Sequence, residues 1–390
     1  MVARVPAVTL FRPRALFVGA FPPPGSKIVG GMVTSCTALL QSSFAARLDL
    51  DLLDSTQVSN PPPRLAQRLV LAVRRCARFI ARFERRRPDV VLLFVAVGAS
   101  IVEKGAMAWY ARLRGVPAVM FPRGGSVVAD ARGSALTRVW VRLAFRGARQ
   151  IVCQSDSWRR FAIEVLGFAP TNVAVVRNWT ATRALLALGA DRVVEGRDPV
   201  RLLFIGWLER DKGIFELLEA ARQLMRGGRR FVLDVAGDGS AAAEASAAIV
   251  RHGLAEIVRL RGWLGDVELE NALRESDVLV LPSWAEGLPN AMVEAMAARL
   301  AVVVTRVGAI PEVVTDRRSG MLVEPRDSAA LATALAAVID DPQLRHEIAA
   351  EGYRIAARDF EVEHAVERVV ELINAAVGAG RGRQLTGRAL

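Results

Sequence analysis

The chain has 390 residues and a hydrophobic fraction of 52%, and this length suits two domains with sizeable cores better than one. Positive charge is concentrated in residues 1–195, which hold 28 Lys and Arg against 11 Asp and Glu, a net charge of +17. The remaining residues hold 24 of the 52 Lys and Arg and 29 of the 40 Asp and Glu, a net charge of −5. Two domains with different partners explain this division of charge better than a uniformly basic nucleic-acid-binding protein does, so we expect no nucleic-acid partner.

No apolar run in the sequence reaches the roughly 18 residues that a membrane-spanning helix needs. Residues 1–13 lack an apolar stretch followed by a small-residue cleavage site, so we expect no signal peptide and a cytoplasmic protein. The three cysteines, Cys36, Cys76 and Cys153, are widely spaced and form no Cys-x-x-Cys pair. Their spacing predicts neither a metal site nor a disulfide.

The first half of the chain alternates short apolar runs with helical patterns. Residues 15–20 predict a first strand, and the pair Gly30 and Gly31 then opens a helix. Three later runs are short and apolar enough for buried parallel strands: residues 90–97, 117–121 and 150–154. Asp49 and Asp51 have the Asp-x-Asp spacing of some metal sites, but no nucleotide-binding motif lies beside them, so we interpret them as a solvated strand edge.

A basic amphipathic helix is predicted over residues 64–84. One of its faces carries arginines at helical spacing, namely Arg64, Arg68, Arg75, Arg78 and Arg82. The other face is apolar and consists of Leu65, Leu69, Val73, Ile80 and Phe83. Two interpretations stay open: a domain helix with a solvated basic face, or a helix that docks on an anionic bilayer.

The second half repeats the alternation, with strands predicted over residues 201–205, 231–236, 258–260, 278–281 and 301–305. Alternating strands and helices indicate parallel sheets that are covered by helices on both faces. Ligands of such sheets bind beyond the carboxyl ends of the strands. Four motifs lie at those ends and are predicted to meet at one edge of the second domain: 206–212, 237–239, 282–286 and 305–311.

The segment 286–312 carries the most specific pattern in the chain. Glu286 precedes a Gly-Leu-Pro turn, and Glu294 follows eight positions later inside an apolar helix. An ionised carboxylate in such surroundings is costly to bury unless a polar group meets it. A ligand could supply that group; the alternative is that Glu294 faces solvent.

The start of the same helix suits a phosphate. Pro289 fits the first helical position, which leaves the amides of Asn290, Ala291 and Met292 without intrahelical partners. Glu294 follows about 7.5 Å further along the axis, a distance that joins a diphosphate to ribose hydroxyls. Glu286 then lies where it can contact a sugar beyond the phosphates.

Lys212 is the only lysine in the second half of the chain and one of three in all. A compact ammonium group on a flexible stem suits a phosphate oxygen that is bound as a point charge. The alternative is a charge at a helix start that points into water.

Together these motifs resemble the family 4 retaining glycosyltransferases, of the kind found in bacterial exopolysaccharide and lipopolysaccharide synthesis. The resemblance is dense from about residue 200 to 325, and four ordered motifs carry it: 203–213, 235–239, 276–283 and 286–294. It implies an α/β protein of the GT-B fold, in which two doubly wound Rossmann-like domains face each other across a cleft.

The resemblance also implies a division of the chain. Residues 1–185 are expected to form an acceptor-binding domain, and residues 198–358 a nucleotide-sugar-binding domain. A helix over 359–377 is expected to cross back to the first domain. The Arg- and Gly-rich residues 378–390 are predicted to be a disordered tail.

The implied activity is transfer of a sugar, with retention, from a nucleoside-diphosphate sugar to a glycan or lipid-linked acceptor at the cytoplasmic membrane face. The resemblance implies that the protein needs no cofactor and no metal. Peripheral contact with an anionic membrane is expected. The candidate catalytic residues are Lys212, Glu286 and Arg123. The candidate nucleotide-sugar site consists of Gly206, Arg210, Lys212, Gly237, Gly262, Trp263, Glu286, Gly287, Leu288, Asn290 and Glu294, with Gly30 and Gly31 in the facing loop.

The chain departs from the family pattern at two places. Trp207 stands where the family often has an arginine, so Arg210 is expected to supply the second positive charge. All three histidines lie in the second half, so a histidine common in the first domain's cleft is missing, and Arg123 is its nearest equivalent. Trp263 packs either on a nucleobase or in a core. The rival functions are a nucleotide-sugar 2-epimerase of the same fold and a non-catalytic protein that binds nucleotide or membrane.

Overall fold

The structure is a computed structural model that describes residues 12–22, 30–56, 64–125, 127–128, 133–192 and 198–386. Side chains are described up to Gly378, apart from that of Leu65. The predicted absence of a signal peptide therefore concerns a segment that lies mostly outside the described residues. Residues 387–390 of the predicted tail lie outside them as well.

The first domain is built on a parallel sheet. In the part of the chain that the structure describes, this sheet has six strands in the order β2-β1-β3-β4-β5-β6. The strands are β1 (Arg14–Gly19), β2 (Asp49–Asp54), β3 (Val90–Val95), β4 (Ala118–Pro122), β5 (Gln150–Cys153) and β6 (Val173–Val175). All residues of β3 and β4 are buried, as the apolar runs predict for central parallel strands.

Helices cover both faces of this sheet. They are α1 (Gly31–Gln41), α2 (Phe44–Arg47), α3 (Leu65–Arg85), α4 (Ala99–Leu113), α5 (Ala135–Phe145) and α6 (Asp156–Glu164). Helices α3 to α6 share one core with the sheet, in which Phe79, Phe83 and Phe145 are fully buried. Helices α1 and α2 pack on the opposite face, around Cys36 and Phe44.

The second domain repeats this plan. Its described strands form a parallel sheet of six in the order β12-β11-β10-β7-β8-β9. They are β7 (Val200–Ile205), β8 (Phe231–Ala236), β9 (Val258–Gly262), β10 (Val278–Leu281), β11 (Ala301–Thr305) and β12 (Met321–Val323). Its helices are α8 (Ile214–Arg226), α9 (Ala242–Arg251), α10 (Asp266–Glu275), α11 (Asn290–Ala297), α12 (Ser328–Asp340) and α13 (Pro342–Asp359).

Two helices depart from what the sequence predicts. The interval between the two predicted domains, residues 186–197, contains the end of α7 (Arg183–Ala190), whose Gly189 lies so close to the second domain that an added Cβ would fall 2.2 Å from the carbonyl oxygen of Ala297. The last helix, α14 (Val362–Thr386), continues nine residues past the predicted end, into the segment expected to be disordered. Helix propagation costs less than nucleation, which accounts for this extension.

Helix α14 packs on the first domain although it follows the second one in sequence. Val366, Val369 and Ile373 are fully buried in the core that also contains Phe17, Phe44 and Phe94. The chain therefore returns to its own first half. None of the helices among the described residues combines the length and the hydropathy that crossing a bilayer requires.

The strand predictions agree with the structure within two residues at each end. The prediction from sequence missed β6 and β12, which have three residues each and are too short for a periodic pattern. Asp49 and Asp51 lie on the edge strand β2, where arginines bind both: Asp49 accepts from Arg14, and Asp51 accepts from Arg82.

Candidate active site

The two predicted catalytic residues of the second domain form an ion pair. Lys212 Nζ donates to Glu286 Oε1 at 2.7 Å, although 74 residues separate them in sequence. Both side chains are largely buried, with 25% and 16% of their surface exposed. Lys212 follows β7 and Glu286 follows β10, and these strands are hydrogen-bonded neighbours in the sheet. The parallel sheet therefore brings the two loops together at its carboxyl edge.

Gly213 makes this approach possible. Its φ angle is +72°, and an added Cβ would fall 2.1 Å from the carbonyl oxygen of Pro282. Any side chain at this position would push the Lys212 loop away from the Glu286 loop. A further bond joins the loops, because the amide of Trp284 donates to the carbonyl oxygen of Asp211 at 2.7 Å.

The N-terminus of α11 lies beside this pair. Pro289 is the N-cap with an extended ψ of 127°, one position earlier than predicted, and Asn290 is the first helical residue. No side chain caps this end. The amides of the first turn therefore have no intrahelical acceptor and keep their positive polarity for an anion.

Asn290 contacts the first domain directly. Its Nδ2 donates to the carbonyl oxygen of Gly31 at 2.7 Å and to Ser35 Oγ at 3.1 Å. Trp207 makes a similar approach: its Nε1 lies 3.6 Å from where a Cβ would stand on Gly30. The predicted Gly30–Gly31 loop thus faces the nucleotide half of the site from across the cleft.

Glu294 is buried within α11, with 6% of its surface exposed. It accepts no hydrogen bond from any described residue. Burial, and next the negative charge of Asp266, raise the pKa of Glu294 to about 7. The interpretation in which Glu294 faces solvent is wrong, because the side chain is buried about one turn past the first free amide of the helix.

Arg123 does not point freely into the cleft. Its guanidinium stacks 4.0 Å from the ring centroid of Trp179, and its Nη1 donates to Asn178 Oδ1 at 2.9 Å. The Nε and Nη2 atoms are buried and have no hydrogen-bond partner among the described residues. Burial lowers the pKa of Arg123 to about 9, so the group stays charged at neutral pH. The hydrogen bond to Asn178 is therefore the contact that directs Arg123 toward the site.

Arg210 is directed away from the site. Its Nη2 donates to both carboxylate oxygens of Glu244 at 2.6 Å, and its guanidinium lies over the ring of Phe215. This placement contradicts the expectation that Arg210 replaces the missing family arginine. Lys212 is left as the cation beside Glu286.

Trp207 and Trp263 pack against each other edge to face, with ring centroids 4.5 Å apart. Both are half-buried, so Trp263 belongs neither to a closed core nor to open surface. Glycines beside the two tryptophans allow the ends of neighbouring strands to approach each other closely. The amide of Gly237 donates to the carbonyl oxygen of Gly262 at 2.8 Å. Gly237 also packs on Gly206 so closely that a Cβ added to Gly237 would fall 1.7 Å from the carbonyl oxygen of Gly206.

Sequence reasoning missed Asn178, which links the halves of the cleft. Its Nδ2 donates to Asn290 Oδ1 at 2.7 Å and to the carbonyl oxygen of Leu288 at 2.6 Å. Since its Oδ1 accepts from Arg123, a continuous chain of hydrogen bonds runs from the first domain to the start of α11. Asn178 follows the three-residue strand β6, whose pattern was too short to draw attention to it.

Glu312 is a second residue that sequence reasoning left without a role. Its carboxylate accepts from the amides of Asp156 at 2.8 Å and Ser157 at 2.9 Å, at the first turn of α6. A side chain of the second domain thus stabilises a helix N-terminus of the first. The carbonyl oxygen of Gly287 accepts from Ala309, which positions the loop that carries Glu312.

Two family descriptions match the chain, one for each domain. Residues 40–179 match the "Glycosyl transferase 4-like domain", and residues 199–341 match "Glycosyl transferases group 1". The second match contains Lys212, Glu286, Glu294 and Glu312. The first contains Arg123 and Asn178.

Individual proteins agree with these matches. The amylovoran biosynthesis glycosyltransferase AmsK of Erwinia amylovora is 35% identical over 143 residues, which is 35% of this chain and 35% of AmsK. The chain spans about half, or less, of the length of the curated relatives it matches.

Solved structures resemble nearly the whole chain. Sucrose-phosphate synthase from Thermosynechococcus elongatus has a TM-score of 0.77 at 17% identity, over 94% of this chain and 100% of that one. HepE from Anabaena, solved in complex with UDP and glucose, has a TM-score of 0.68 at 19% identity, over 93% and 100%. At these identities the likeness shows the GT-B fold. With the two domain matches in the same order, the chain belongs to the group 1 glycosyltransferases of the GT-B fold.

Proposed function

We propose that the protein transfers a sugar, with retention of the anomeric configuration, from a nucleoside-diphosphate sugar. The observation that carries this proposal is the alignment of three groups: the Lys212–Glu286 pair, the uncapped start of α11, and buried Glu294 behind it. A diphosphate at the helix start meets Lys212, its ribose meets Glu294, and its sugar meets Glu286.

Lys212 and the first amides of α11 stabilise the negative charge that develops on the leaving diphosphate. Before the donor arrives, Lys212 binds Glu286 at 2.7 Å, so the diphosphate exchanges one anionic partner of the ammonium group for another. Catalysis then rests on positioning the acceptor against the anomeric carbon. The leaving phosphate oxygen accepts the acceptor's proton, so the proposed reaction needs no separate base, and Lys212 with the helix amides supplies the positive charge that a metal would otherwise bring to the diphosphate.

A uridine nucleotide is the first donor to test. HepE, which shares the fold, was solved with UDP and glucose. The half-buried ring of Trp263 adjoins the strand end where the family resemblance places nucleobase contacts. An aromatic ring in this position stacks on a nucleobase and accepts more than one kind of base.

The acceptor is proposed to be a glycan or a lipid-linked sugar at the cytoplasmic membrane face. AmsK, a relative of the second domain, is named for amylovoran biosynthesis. The first domain, which faces the acceptor side of the cleft, lies in the half of the chain with a net charge of +17. An anionic membrane surface attracts such a domain.

Hydrolysis of the donor tests the proposal without knowledge of the acceptor. The wild-type protein is incubated with UDP-, GDP-, ADP- and CMP-sugars, and release of free sugar is followed by chromatography. We expect slow release from one class of donor, and a reduction of at least a hundredfold in the Lys212→Ala and Glu294→Ala variants.

The controls are Arg274→Ala and Glu324→Ala, which remove one positive and one negative side chain from the exposed surface of the second domain. Both are expected to keep wild-type release. Release of free sugar at the wild-type rate by Lys212→Ala and Glu294→Ala would refute the assignment of the donor site. Nucleotide binding without sugar release from any donor or transfer to any added glycan would favour the non-catalytic alternative.

A further inference from the structure

Exposed apolar side chains are concentrated on one face of the first domain. Among the described residues, 15 large hydrophobic side chains are exposed, and 12 of them lie on α3, α4 and α5 or on the loop that leads into α4. We call this surface the α3–α5 face; its most prominent members are Leu69, Val73, Trp109, Leu113, Leu136 and Trp140. Leu113 is 80% exposed, Leu136 70% and Trp140 58%. A concentration of exposed apolar side chains on one face of a domain is typical of an interaction site.

The three helices form one continuous surface. Glu84 on α3 accepts from Tyr110 and Arg114 at the end of α4. On the other side of α4, Trp109 Nε1 donates to the carbonyl oxygen of Leu143 on α5 at 2.8 Å. The three helices are therefore neighbours on the same face of the sheet, and their exposed side chains lie on the outer side of this layer.

This face is also strongly basic. Helix α3 contains six arginines and one glutamate, and α5 contains two arginines and no acidic residue. Arg74, Arg78 and Arg85 are exposed and have no ion pair with any described residue. The apolar side chains thus stand among guanidinium groups that are free to meet an anionic partner.

The structure corrects the helical faces expected from the sequence. Leu69, Val73 and Ile80 of the predicted apolar face are exposed, whereas Phe83 of that face and Phe79 are buried. Helix α3 therefore presents leucine, valine, isoleucine and arginine together to the outside. A helix with a merely solvated basic face would not do so.

We propose that the α3–α5 face docks on an anionic lipid bilayer, with Trp109 and Trp140 at the level of the headgroups. Apolar side chains enter the boundary between headgroups and acyl chains while arginines extend to the phosphates. A second copy of the chain fits poorly, because a two-fold interface would set arginines against arginines. This inference rests on the proposed function and adds to it the surface that meets the membrane.

The position of the face relative to the cleft supports this partner. Helices α3, α4 and α5 follow β2, β3 and β4 along the chain, so each of them starts from the carboxyl edge of the sheet, which is the edge at the cleft. Exposed Val97, Val102 and Leu136 lie at that end. A lipid carrier held in the membrane therefore places its sugar at the mouth of the cleft.

The test is co-sedimentation of the full-length protein with vesicles of phosphatidylcholine alone and of phosphatidylcholine mixed with phosphatidylglycerol. Wild type is expected to bind the mixed vesicles and to bind the neutral ones much more weakly. The pair Leu136→Ser with Trp140→Ser removes apolar contact, and Arg78→Gln with Arg85→Gln removes charge. Each double variant is expected to lower the apparent partition coefficient roughly tenfold or more.

The matched control is Val250→Ser with Val267→Ser, two residues of the second domain that are 71% and 74% exposed. It is expected to bind as wild type does. Donor hydrolysis by every variant shows that the proteins are folded and separates this test from that of the proposed function. Three results would overturn the inference: no binding to mixed vesicles, equal binding to both kinds, or light scattering that shows a dimer which only the α3–α5 face variants dissociate.

Discussion

At the scale of the residue, Glu294 is a buried carboxylate that the protein itself leaves without a hydrogen-bond donor among the described residues. The fold buries its carboxylate among Met292, Val293 and Met296, all of which are fully buried, and no described residue donates a hydrogen bond to it. The pKa of Glu294 therefore rises to about 7, since a charged group without a partner is costly in such surroundings. A ribose that donates two hydroxyl hydrogen bonds would restore the lost solvation.

Replacing Glu294 with glutamine is expected to change how stability depends on pH. The folded state raises the pKa from 4.5 to about 7, so it binds the proton more tightly than the unfolded state does. The free energy of unfolding of the wild type should therefore fall as pH rises from about 4.5 to 7. At pH 8 without ligand, Glu294→Gln should be more stable by up to about 3 kcal/mol, measured by urea unfolding.

Below pH 4 this difference should vanish, because Glu294 is then protonated in both states. Glu324→Gln, at an exposed position, serves as the control and should follow the wild type at every pH. A difference between Glu294→Gln and the wild type that does not vary with pH would contradict the assignment.

Nucleotide affinity provides a second test at the same residue. A ribose hydroxyl donates best to an ionised carboxylate, so binding should release a proton from Glu294 near neutral pH. The affinity for UDP is expected to rise as pH rises from 6 to 8, and Glu294→Gln should bind more weakly without this dependence. Calorimetry in two buffers of different ionisation enthalpy measures the proton release; its absence in the wild type would exclude the ribose role.

At the scale of the element, the loops of the second domain also hold helices of the first. Glu312 caps α6 with both carboxylate oxygens, and Asn178 joins Arg123 to the start of α11. These bonds are few and polar, as in contacts between domains that move relative to each other. The helix start that is proposed to bind phosphate is therefore connected to the first domain through the side-chain amides of Asn178 and Asn290.

Glu312→Ala should loosen the first turn of α6. The loss of a cap costs about 1 kcal/mol, and the amides of Asp156 and Ser157 become free to exchange. Hydrogen exchange is expected to accelerate at those two amides by roughly fivefold, while the sheet strands stay protected. Glu270→Ala, which removes an exposed carboxylate from α10, should leave α6 unchanged. Equal exchange at α6 in the wild type and Glu312→Ala would show that this contact contributes nothing in solution.

At the scale of the whole molecule, α14 fastens the end of the chain to the first domain. Its buried face, with Val366, Val369 and Ile373, closes a core that the first half of the chain leaves open. The backbone bond from the amide of Ala181 to the carbonyl oxygen of Phe360 joins the two crossings between the domains. The domains are thus connected by two segments of the chain that lie side by side.

Ile373→Ala should destabilise the protein by about 2–5 kcal/mol, because it opens a cavity in this core. The measurement is the free energy of unfolding in urea. Glu371→Ala on the exposed side of α14 should change it by less than about 0.5 kcal/mol. If Ile373→Ala matched that control, α14 would not form part of the first domain's core in solution.

Much of the fold was predictable from the sequence because its signals are local. Apolar runs bounded by glycine and proline located β3, β8, β10 and β11, and the spacing of Glu286, Pro289 and Glu294 located the helix start of the proposed donor site. These features depend on periodicity and on the conformations that proline and glycine favour. The sequence by itself therefore determined the α/β class, the two domains and the edge of the sheet at which the motifs meet.

Only the tertiary structure decided what those side chains contact. It paired Lys212 with Glu286, directed Arg210 to Glu244, buried Arg123 beside Trp179, and left the apolar side chains of α3 exposed. Each outcome depends on neighbours from distant parts of the chain and on the rotamer that packing allows. The pattern of residues places a side chain on a face of its element, whereas the other elements that pack there determine whether that face becomes core, cleft or outer surface.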